Sequence, residues 1–435
     1  TISTDSLFVK SEDYKVVLTQ PQYYTYVGLH SDVNRRKFLA TASVAASGLL
    51  SGCLSMLPLL DSDTPLPDDP TGEWTQYGAN GANTFATNVS APPQGNLAWT
   101  SDAFTRWRPV VANGIVYTTN FDPSNDGSAI ALDAQDGTEQ WRTTLDASGD
   151  NVIVVVDDRC VVAYGEELVA LDSQTGEQIW TESINEVEQL VADEATGTVL
   201  VASDRGIEAF RAADGERRWE TNTVRQLVHT PAVYDGRVFA VGDVDGSPSL
   251  AAFSVEDGSD RWQSELTATP ESAAPVATQD GVFVADDRTL VVHDRDTGDQ
   301  RRELGSFGED DDVVPHTVAV DDETVFVTSS YGAVAVDSET GTVRWHRDTP
   351  VYKPGVCLGT DTIIFPVSTP EFAPEKKTIS AFDRGSGEMR WYYGFDPGFH
   401  HEVTSPPVLV DGAVFFTATD IDGLGALGDV PERDS

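Results

Sequence analysis

A short segment recurs seven times along this chain, and it limits the possible folds more than any other feature. Each copy contains an apolar run, a glycine and, in six of the seven, a Trp four residues after that glycine. Arg302 takes the Trp position in the fifth copy. A period of this length predicts a repeat architecture. The glycines lie 39 to 46 residues apart and are Gly137, Gly176, Gly215, Gly258, Gly298, Gly341 and Gly387.

A second element precedes each of these segments and consists of two apolar runs joined by a tight turn. The turns include Asn113-Gly114, Asp235-Gly236, Asp280-Gly281 and Asp411-Gly412. Asn-Gly and Asp-Gly between alternating apolar residues predict two-residue hairpins, because the favoured turn needs a positive φ at both central positions. Each repeat is therefore predicted to contain four short strands.

The two ends of the repeat region complete each other. The hairpin element occurs an eighth time at Pro407–Phe416 without a following glycine-to-Trp segment, whereas Trp99 occupies a Trp position whose preceding strands are missing. An N-terminal strand that becomes the outer strand of the last sheet closes the ring and leaves no unpaired edge. We expect an all-β, eight-bladed propeller of four-stranded antiparallel blades over residues 74–428, with a tail at 429–435.

The repeated residues are predicted to have structural roles. Glycine supplies a positive φ in the turn between the third and fourth strands, and the Asp before it accepts hydrogen bonds from turn amides. The Trp ring is buried between blades and donates its N–H to a neighbouring carbonyl. The seven structural residues are Trp99, Trp141, Trp180, Trp219, Trp262, Trp345 and Trp391.

The N-terminal part of the chain resembles an export signal. Arg35 and Arg36 precede a short apolar stretch that ends in Leu50-Ser51-Gly52-Cys53. The Arg pair resembles a Tat signal, and the Cys53 motif resembles a lipobox, in which the new N-terminal cysteine takes a lipid. We interpret residues 33–52 as this signal, residues 1–32 as a spurious or disordered extension, and residues 53–73 as a Pro/Asp-rich tether. The alternative is a buried amphipathic helix with a chance cysteine.

The charge of the chain limits its partners. Its 71 Asp and Glu residues against 28 Lys and Arg residues give a net charge of -43. Nucleic acid and anionic lipid surfaces need a positive footprint, so neither is expected as the main partner. A uniformly acidic, lysine-poor surface resembles proteins of extreme halophiles, here a halophilic archaeon, and the alternative is an ordinary acidic secreted protein. Cys160 and Cys357 lie in apolar runs and are expected to be buried thiols.

The pattern Ala-Leu-Asp-x-x-x-Gly-x-x-x-Trp, combined with the Asp-Gly hairpins, resembles the pyrroloquinoline quinone (PQQ)-like β-propeller repeat. The resemblance covers about residues 74–428. One branch of that family comprises quinoprotein dehydrogenases, and another comprises exported lipoproteins similar to BamB. The dehydrogenases use PQQ with calcium and often an adjacent Cys-Cys pair, which this sequence lacks. We therefore expect a monomeric, lipid-anchored, extracytoplasmic scaffold without a cofactor or metal. The alternatives are a PQQ-dependent dehydrogenase and a carbohydrate or surface-layer binding module.

The topology also predicts where a partner would bind. Connections from the fourth strand of one blade to the first strand of the next lie on the same rim as the turns between second and third strands. The Arg106-Trp107-Arg108 triplet is the leading candidate, as an exposed basic and aromatic patch that could accept an acidic peptide. The partner is expected to be an extracytoplasmic protein or peptide. The candidate rim residues are Arg106, Trp107, Arg108, His229, His316, Lys353, His400 and His401.

Overall fold

The regular structure of the described residues is entirely β-strand, arranged as eight four-stranded sheets. The computed structural model describes residues 63–432 apart from 121–126, 146–150, 228, 269–272, 307–314, 322, 353–354, 369, 371–372, 374–376, 396–402 and 422. All strand pairs within the sheets are antiparallel, and the predicted fold class is confirmed. The predicted extension, export signal and lipidated Cys53 lie outside the described residues and stay predictions.

Blades are numbered here in chain order, and each begins with its innermost strand. Blade 1 contains β2 (Val110–Ala112), β3 (Ile115–Asn120), β4 (Ser128–Asp133) and β5 (Glu139–Thr144). Blade 2 contains β6 (Val152–Val156), β7 (Arg159–Tyr164), β8 (Glu167–Asp172) and β9 (Gln178–Ser183). Blade 3 contains β10 (Gln189–Asp193), β11 (Thr198–Ser203), β12 (Gly206–Arg211) and β13 (Arg217–Thr221). Blade 4 contains β14 (Ala232–Tyr234), β15 (Arg237–Val244), β16 (Ser247–Ser254) and β17 (Asp260–Glu265).

The second half of the ring repeats this order. Blade 5 contains β18 (Val276–Thr278), β19 (Gly281–Asp286), β20 (Thr289–His293) and β21 (Gln300–Ser306). Blade 6 contains β22 (Pro315–Val320), β23 (Thr324–Ser329), β24 (Gly332–Asp337) and β25 (Val343–Arg347). Blade 7 contains β26 (Cys357–Leu358), β27 (Thr362–Ser368), β28 (Lys377–Asp383) and β29 (Met389–Gly394). Blade 8 contains β30 (Val408–Val410), β31 (Ala413–Ala418), β32 (Gly423–Gly428) and the N-terminal strand β1 (Asn96–Ser101).

The ring closes as the two ends of the sequence predict. Strand β1 pairs antiparallel with β32, and Trp99 lies opposite Ala426. The innermost strands of blades 1 and 8 are in contact. The N-terminal strand therefore covers the edge of β32 that an open array would expose.

Burial follows the position of each strand in its blade. All five residues of the innermost strand β6 are buried. The outer strand β9 buries only Trp180 and exposes its remaining five residues. An apolar run therefore forms the inner strand, whereas a polar strand with a single Trp forms the outer edge. Both Cys160 and Cys357 are buried and unpaired, as the sequence predicts.

The repeated Gly, Asp and Trp residues connect neighbouring blades. At the turn of blade 1, Gly137 has a φ of +74°, and Asp133 Oδ1 accepts the amides of Gln135 and Asp136. The indole N–H of each structural Trp donates to a carbonyl in the adjacent blade. The pairs are Trp99–Ala134 (3.2 Å), Trp141–Ser173 (2.9 Å), Trp180–Ala212 (2.9 Å), Trp219–Val255 (2.7 Å), Trp262–Arg295 (2.9 Å), Trp345–Arg384 (2.8 Å) and Trp391–Pro92 (2.8 Å).

Arg302 makes the same connection in the one blade that lacks the Trp. Its Nε donates to the carbonyl of Ser338 at 3.1 Å, the position that an indole N–H reaches in the other blades. The hairpin turns vary more. Both central residues have a positive φ at Asn113-Gly114 and at Asp235-Gly236, whereas only the glycine does at Asp411-Gly412. The turn near Asp280 is Gln279-Asp280 instead, because Gly281 begins β19 and pairs with Thr278. The predicted turn position is therefore wrong at Asp280-Gly281, and the prediction of positive φ at both positions is wrong at Asp411-Gly412.

Residues 71–90, here called the central segment, hydrogen-bond in chain order to successive blades around the ring. Backbone bonds join Trp74 to Val111 in β2, Thr75 to Val155 in β6, Gly81 to Val233 in β14 and Ala82 to Ala277 in β18, and then Thr84 to Val320 in β22, Phe85 to Leu358 in β26 and Ser90 to Gly412 beside β30. In blade 3 the side chain of Gln76 bonds to both backbone groups of Ala192. The segment thus satisfies backbone groups of inner strands that would otherwise be unpaired.

The end of the predicted tether also lies on the propeller. Leu66 is buried, and its amide donates to the carbonyl of Gln135. Thr64 donates to Ala98, and Asp411 donates to Thr71. Residues 63–73 are therefore held by the blades rather than extended away from them.

Candidate binding surface

One face of the ring carries the connections between blades and the turns between second and third strands, and we call it the connector face. Arg106 and His229 lie in connections between blades, and His316 lies at the start of β22, beside such a connection. Lys353, His400 and His401 lie outside the described residues, so their roles stay predictions. The opposite face carries the glycine turns and the hairpin turns.

The Arg106-Trp107-Arg108 triplet is divided between the surface and the interior. Arg106 is exposed, and Trp107 is half-buried against the apolar core between blades 2 and 3. Arg108 has only 4% of its surface exposed. Its Nη1 donates to the carbonyl of Tyr77 at 2.6 Å, because the central segment brings that carbonyl to the connection before β2. The prediction of an exposed patch is therefore wrong at Arg108, and peptide binding by the triplet remains a prediction.

The two candidate rim histidines that the structure describes, His229 and His316, are half-buried. His316 lies at the start of β22, and its Nε2 is 3.0 Å from the hydroxyl oxygen of Ser330. Burial lowers the pKa of His316, because the charged imidazolium loses solvation. At pH values above this lowered pKa, His316 is therefore a neutral polar group of the connector face.

A groove crosses the connector face above blades 3 and 4, and we call it the rim groove. It consists of two clefts of about 730 and 520 Å³ that share Asn222 and Arg225. Asn185 and the turn residue Arg205 line the first cleft, and the turn residue Asp245 lines the second. Two adjoining clefts with common walls form an elongated depression suited to an extended chain.

Backbone contacts fix the geometry of the groove. Arg225 and Asp243 form an antiparallel bridge with bonds of 2.9 and 2.8 Å, and the Arg225 Nε donates to the carbonyl of Asn222 at 3.2 Å. A Cβ on Gly242 would lie 2.4 Å from the Arg225 carbonyl oxygen. The wall that carries Arg225 therefore depends on a glycine at this position.

A buried carboxylate organises the other wall. The Glu208 side chain is only 4% exposed and accepts the backbone and side-chain amides of Asn185 at 2.7 and 2.8 Å. Arg217 pairs with Glu208 at 2.8 Å. Arg205, whose side chain is 68% exposed, donates to Asn185 Oδ1 at 3.1 Å. The groove therefore presents exposed arginines and amides over an internally neutralised acid. Its lining also contains carboxylates, which belong to Asp204, Glu220, Asp243, Asp245 and Asp260.

Arg225 lies in the connection between β13 and β14, on the rim where the topology predicts binding, but the candidate rim residues include neither Arg205 nor Asn185. Arg205 lies in the turn between β11 and β12, just before Gly206. An arginine in a turn between second and third strands, on a chain with few basic residues, is the signal that could have indicated it. Asn185 has no such signal, since its role depends on Glu208 in the neighbouring blade.

The space around Arg108 at the centre of the ring does not accommodate PQQ with calcium. A flat quinone needs an open slot, and calcium needs several oxygen ligands. The Arg108 guanidinium lies 4.9, 5.5 and 5.3 Å from the ring centres of Trp74, Tyr77 and Phe85, so the chain's own aromatic side chains fill this space. Over the described ranges, no three His, Cys, Asp or Glu side chains converge as metal ligands do.

No helix that could span a membrane occurs in the part of the chain that the structure describes.

Eight four-stranded blades, an N-terminal strand that closes the ring, and side-chain hydrogen bonds between successive blades define a closed β-propeller of sequence repeats. The model of the family described as "Outer membrane protein assembly factor BamB" matches residues 87–196 and 165–393, which together cover more than half of the chain. The chain belongs to this family.

One curated relative is the serine/threonine-protein kinase AfsK of Streptomyces coelicolor. It is 29% identical over 202 residues, which represent 42% of this chain. The match spans only 23% of the kinase's length. The similarity therefore concerns a part of the kinase.

Several solved structures share the fold at low sequence identity. A quinohemoprotein alcohol dehydrogenase from Pseudomonas putida is 14% identical with a TM-score of 0.60, covering 84% of this chain and 81% of that one. The enzyme from Comamonas testosteroni is 12% identical with a TM-score of 0.61, covering 83% and 82%. The computationally designed Ika8 protein is 14% identical with a TM-score of 0.57, covering 79% and 99%. At these identities the likeness shows the fold alone.

Proposed function

We propose that this protein is an extracytoplasmic scaffold that binds another protein or a peptide through its connector face. The rim groove is the observation that carries the proposal, because it is an elongated depression between rigid blades. Membership of a family described as an assembly factor agrees with a binding role. The exposed side chains of Arg205 and Arg225 would bind carboxylates of the partner.

The rigidity of the groove favours binding without rearrangement. Its walls are ends of antiparallel strands, and Arg225 is tied to Asp243 by two backbone bonds. A preorganised surface loses little conformational entropy on association. The groove arginines lie among lining carboxylates such as Asp204, Asp245 and Asp260, so a partner segment with both acidic and basic side chains fits the groove better than a purely acidic one.

The location of the scaffold follows from the N-terminal sequence. Export through the Arg35-Arg36 signal, followed by lipid attachment to Cys53, would hold a monomeric propeller at the outer face of the cell membrane. The lysine-poor acidic surface suits a halophilic archaeon. Mass spectrometry of the membrane fraction tests this part: a lipid-modified peptide that begins at Cys53 supports it, and native peptides from residues 1–32 contradict it.

Site-specific photo-crosslinking tests the binding surface. A photoreactive residue replaces Arg205 in the groove, and a control variant carries it at the exposed Gln140 on the outer strand of blade 1, which does not line the groove. We expect the groove position to give a discrete crosslinked product that the control position lacks. Adding Arg225→Ala to the groove variant should reduce that product. Equal products from both positions, or no effect of Arg225→Ala, would contradict binding in the groove.

A further inference from the structure

Arg108 places a positive charge inside the ring next to the central segment. Its guanidinium carbon lies 4.9, 5.5 and 5.3 Å from the ring centres of Trp74, Tyr77 and Phe85, and its Nη1 donates to the Tyr77 carbonyl. Its Nε and Nη2 are buried and have no acceptor. These two nitrogens form the side-on edge of a guanidinium, which normally binds two oxygens or one anion in its plane.

The groups around Arg108 do not supply the missing negative charge. Tyr77 and Cys357 are the titratable groups that interact with it electrostatically. Burial raises the pKa of Tyr77, and it raises the pKa of Cys357 to about 12, so both are neutral at ordinary pH. Burial also lowers the pKa of Arg108, since the charged form loses solvation.

Aromatic contacts stabilise the cation but leave its edge unpaired. The aromatic rings attract the guanidinium cation, but they do not accept the in-plane hydrogen bonds of its N–H groups. A buried donor without an acceptor destabilises the fold, and more so when it belongs to a charged group. An acceptor in the plane of the Arg108 guanidinium would remove both penalties.

Gly355 packs closely against this edge. A Cβ on Gly355 would lie 2.8 Å from Arg108 Nη2 and 2.4 Å from the Cβ of Pro406. Its φ of +127° also disfavours other residues. The buried edge of Arg108 is therefore closely bordered by the Gly355 backbone, so a ligand at this edge must be small and must approach Nε and Nη2 within the guanidinium plane.

We propose that the centre of the ring binds one small monovalent anion, a halide or a simple carboxylate, against Nε and Nη2 of Arg108. The anion neutralises the buried charge and accepts the two unpaired N–H groups. Because Arg108 also donates to the central segment, the bound anion stabilises the contact between that segment and blade 1. The site lies inside the ring and is separate from the rim groove.

Bromide tests the site directly. The full chain is crystallised in sodium bromide, and an anomalous difference map is calculated at the bromine absorption edge. We expect a peak within hydrogen-bonding distance of Arg108 Nε and Nη2. A well-ordered Arg108 without a peak at that edge would overturn the halide form of the proposal. Crystals grown in sodium formate test the carboxylate form. If neither the bromide crystal nor the formate crystal shows density against Nε and Nη2 of Arg108, the proposal is wrong.

Chloride binding in solution provides the second measurement. The linewidth of the ³⁵Cl resonance should increase with wild-type protein and should fall to the buffer value with Arg108→Met. The Arg106→Met control, which removes an exposed charge two residues away, should keep the wild-type broadening. Competition by formate would show that both anion classes share the site, and its absence would restrict the site to halides. Equal broadening in wild type and Arg108→Met would contradict the proposal. If Arg108→Met does not fold, the bromide map of the wild type decides.

Discussion

The indole N–H of Trp391 in blade 7 donates to the carbonyl of Pro92 at 2.8 Å, across 299 positions of the sequence. Gly95 lies under the same ring, where an added Cβ would be 2.2 Å from the indole Cε3. This is the contact that joins the other blades, but here it joins the last complete blade to the N-terminal strand. The seam of the ring therefore uses the same indole-to-carbonyl hydrogen bond as the contacts between consecutive blades.

Trp391→Ala should destabilise the protein by about 3–5 kcal/mol, because it removes a buried ring together with its hydrogen bond. The loss should be visible as a lower midpoint in urea unfolding. Met389→Ala on the same strand is the matched control, since Met389 is 41% exposed and should change stability by less than about 0.5 kcal/mol. Similar midpoints for the two variants would show that the seam does not depend on the Trp391 contact.

Alanine substitutions at two glycines distinguish the free-energy cost of a strained backbone from the cost of a clash with a Trp ring. Gly114 and Gly137 both have a φ of +74°, so alanine at either site should cost about 1 kcal/mol for the left-handed backbone. A Cβ on Gly114 meets nothing within 4 Å, whereas a Cβ on Gly137 would lie 2.6 Å from Cε3 of Trp99.

Gly137→Ala should therefore destabilise the protein by about 1–3 kcal/mol more than Gly114→Ala. Thermal and urea unfolding of both variants measure the difference. If the two substitutions cost the same, the turn glycine serves only the backbone conformation and not the approach of the Trp ring.

Stability should fall in acid partly because of Asp383. Hydrogen bonds from Arg390 and Ser386 lower the pKa of this carboxyl from 3.8 to about 2. Between pH 3.8 and about pH 2 the unfolded chain therefore binds more protons than the folded chain. The stabilisation of the folded state by Asp383 is present above pH 3.8 and is lost as the pH falls to about 2. Urea midpoints across that interval measure the loss.

Asp383→Asn removes the ionisable group, so its urea midpoint should depend less on pH over the same interval. The exposed Glu388, on the same turn, provides the control variant Glu388→Gln. An unchanged pH dependence in Asp383→Asn would contradict the role assigned to this carboxyl.

The features that could be predicted from sequence are those that repeat. Gly137 and Trp141 recur with their local spacing in other copies, and the position of Trp99 before an incomplete repeat predicted the closing strand. Even Arg302 is predicted to occupy a Trp position. The repeat predicts the hydrogen bond between blades only for an indole N–H, so it gives no donor role to Arg302, whose Nε reaches the Ser338 carbonyl of the next blade.

The environment of Arg108 could not be predicted because it depends on residues far away in the sequence. Arg106 and Arg108 are both arginines of one connection, yet only Arg106 is exposed. Arg108 turns inward because the central segment places the Tyr77 carbonyl and the ring of Trp74 beside it. That segment occurs once and has no repeat partner, so no periodic pattern indicates its path.

The central segment should contribute measurably to stability through Gln76. This side chain is 1% exposed; its Nε2 donates to the Ala192 carbonyl at 3.2 Å, and its Oε1 accepts the Ala192 amide at 2.8 Å. Gln76→Ala leaves both backbone groups of Ala192 without partners in a dry interior, which should cost about 2–4 kcal/mol. Gln94→Ala is the matched control, because Gln94 is exposed and its bond to Asp429 lies at the surface. We expect the control to lose less than about 0.5 kcal/mol.

Hydrogen exchange of the Ala192 amide gives a local measurement: its protection should drop in Gln76→Ala and persist in Gln94→Ala. Unchanged protection in Gln76→Ala would mean that the central segment does not satisfy the inner strand of blade 3.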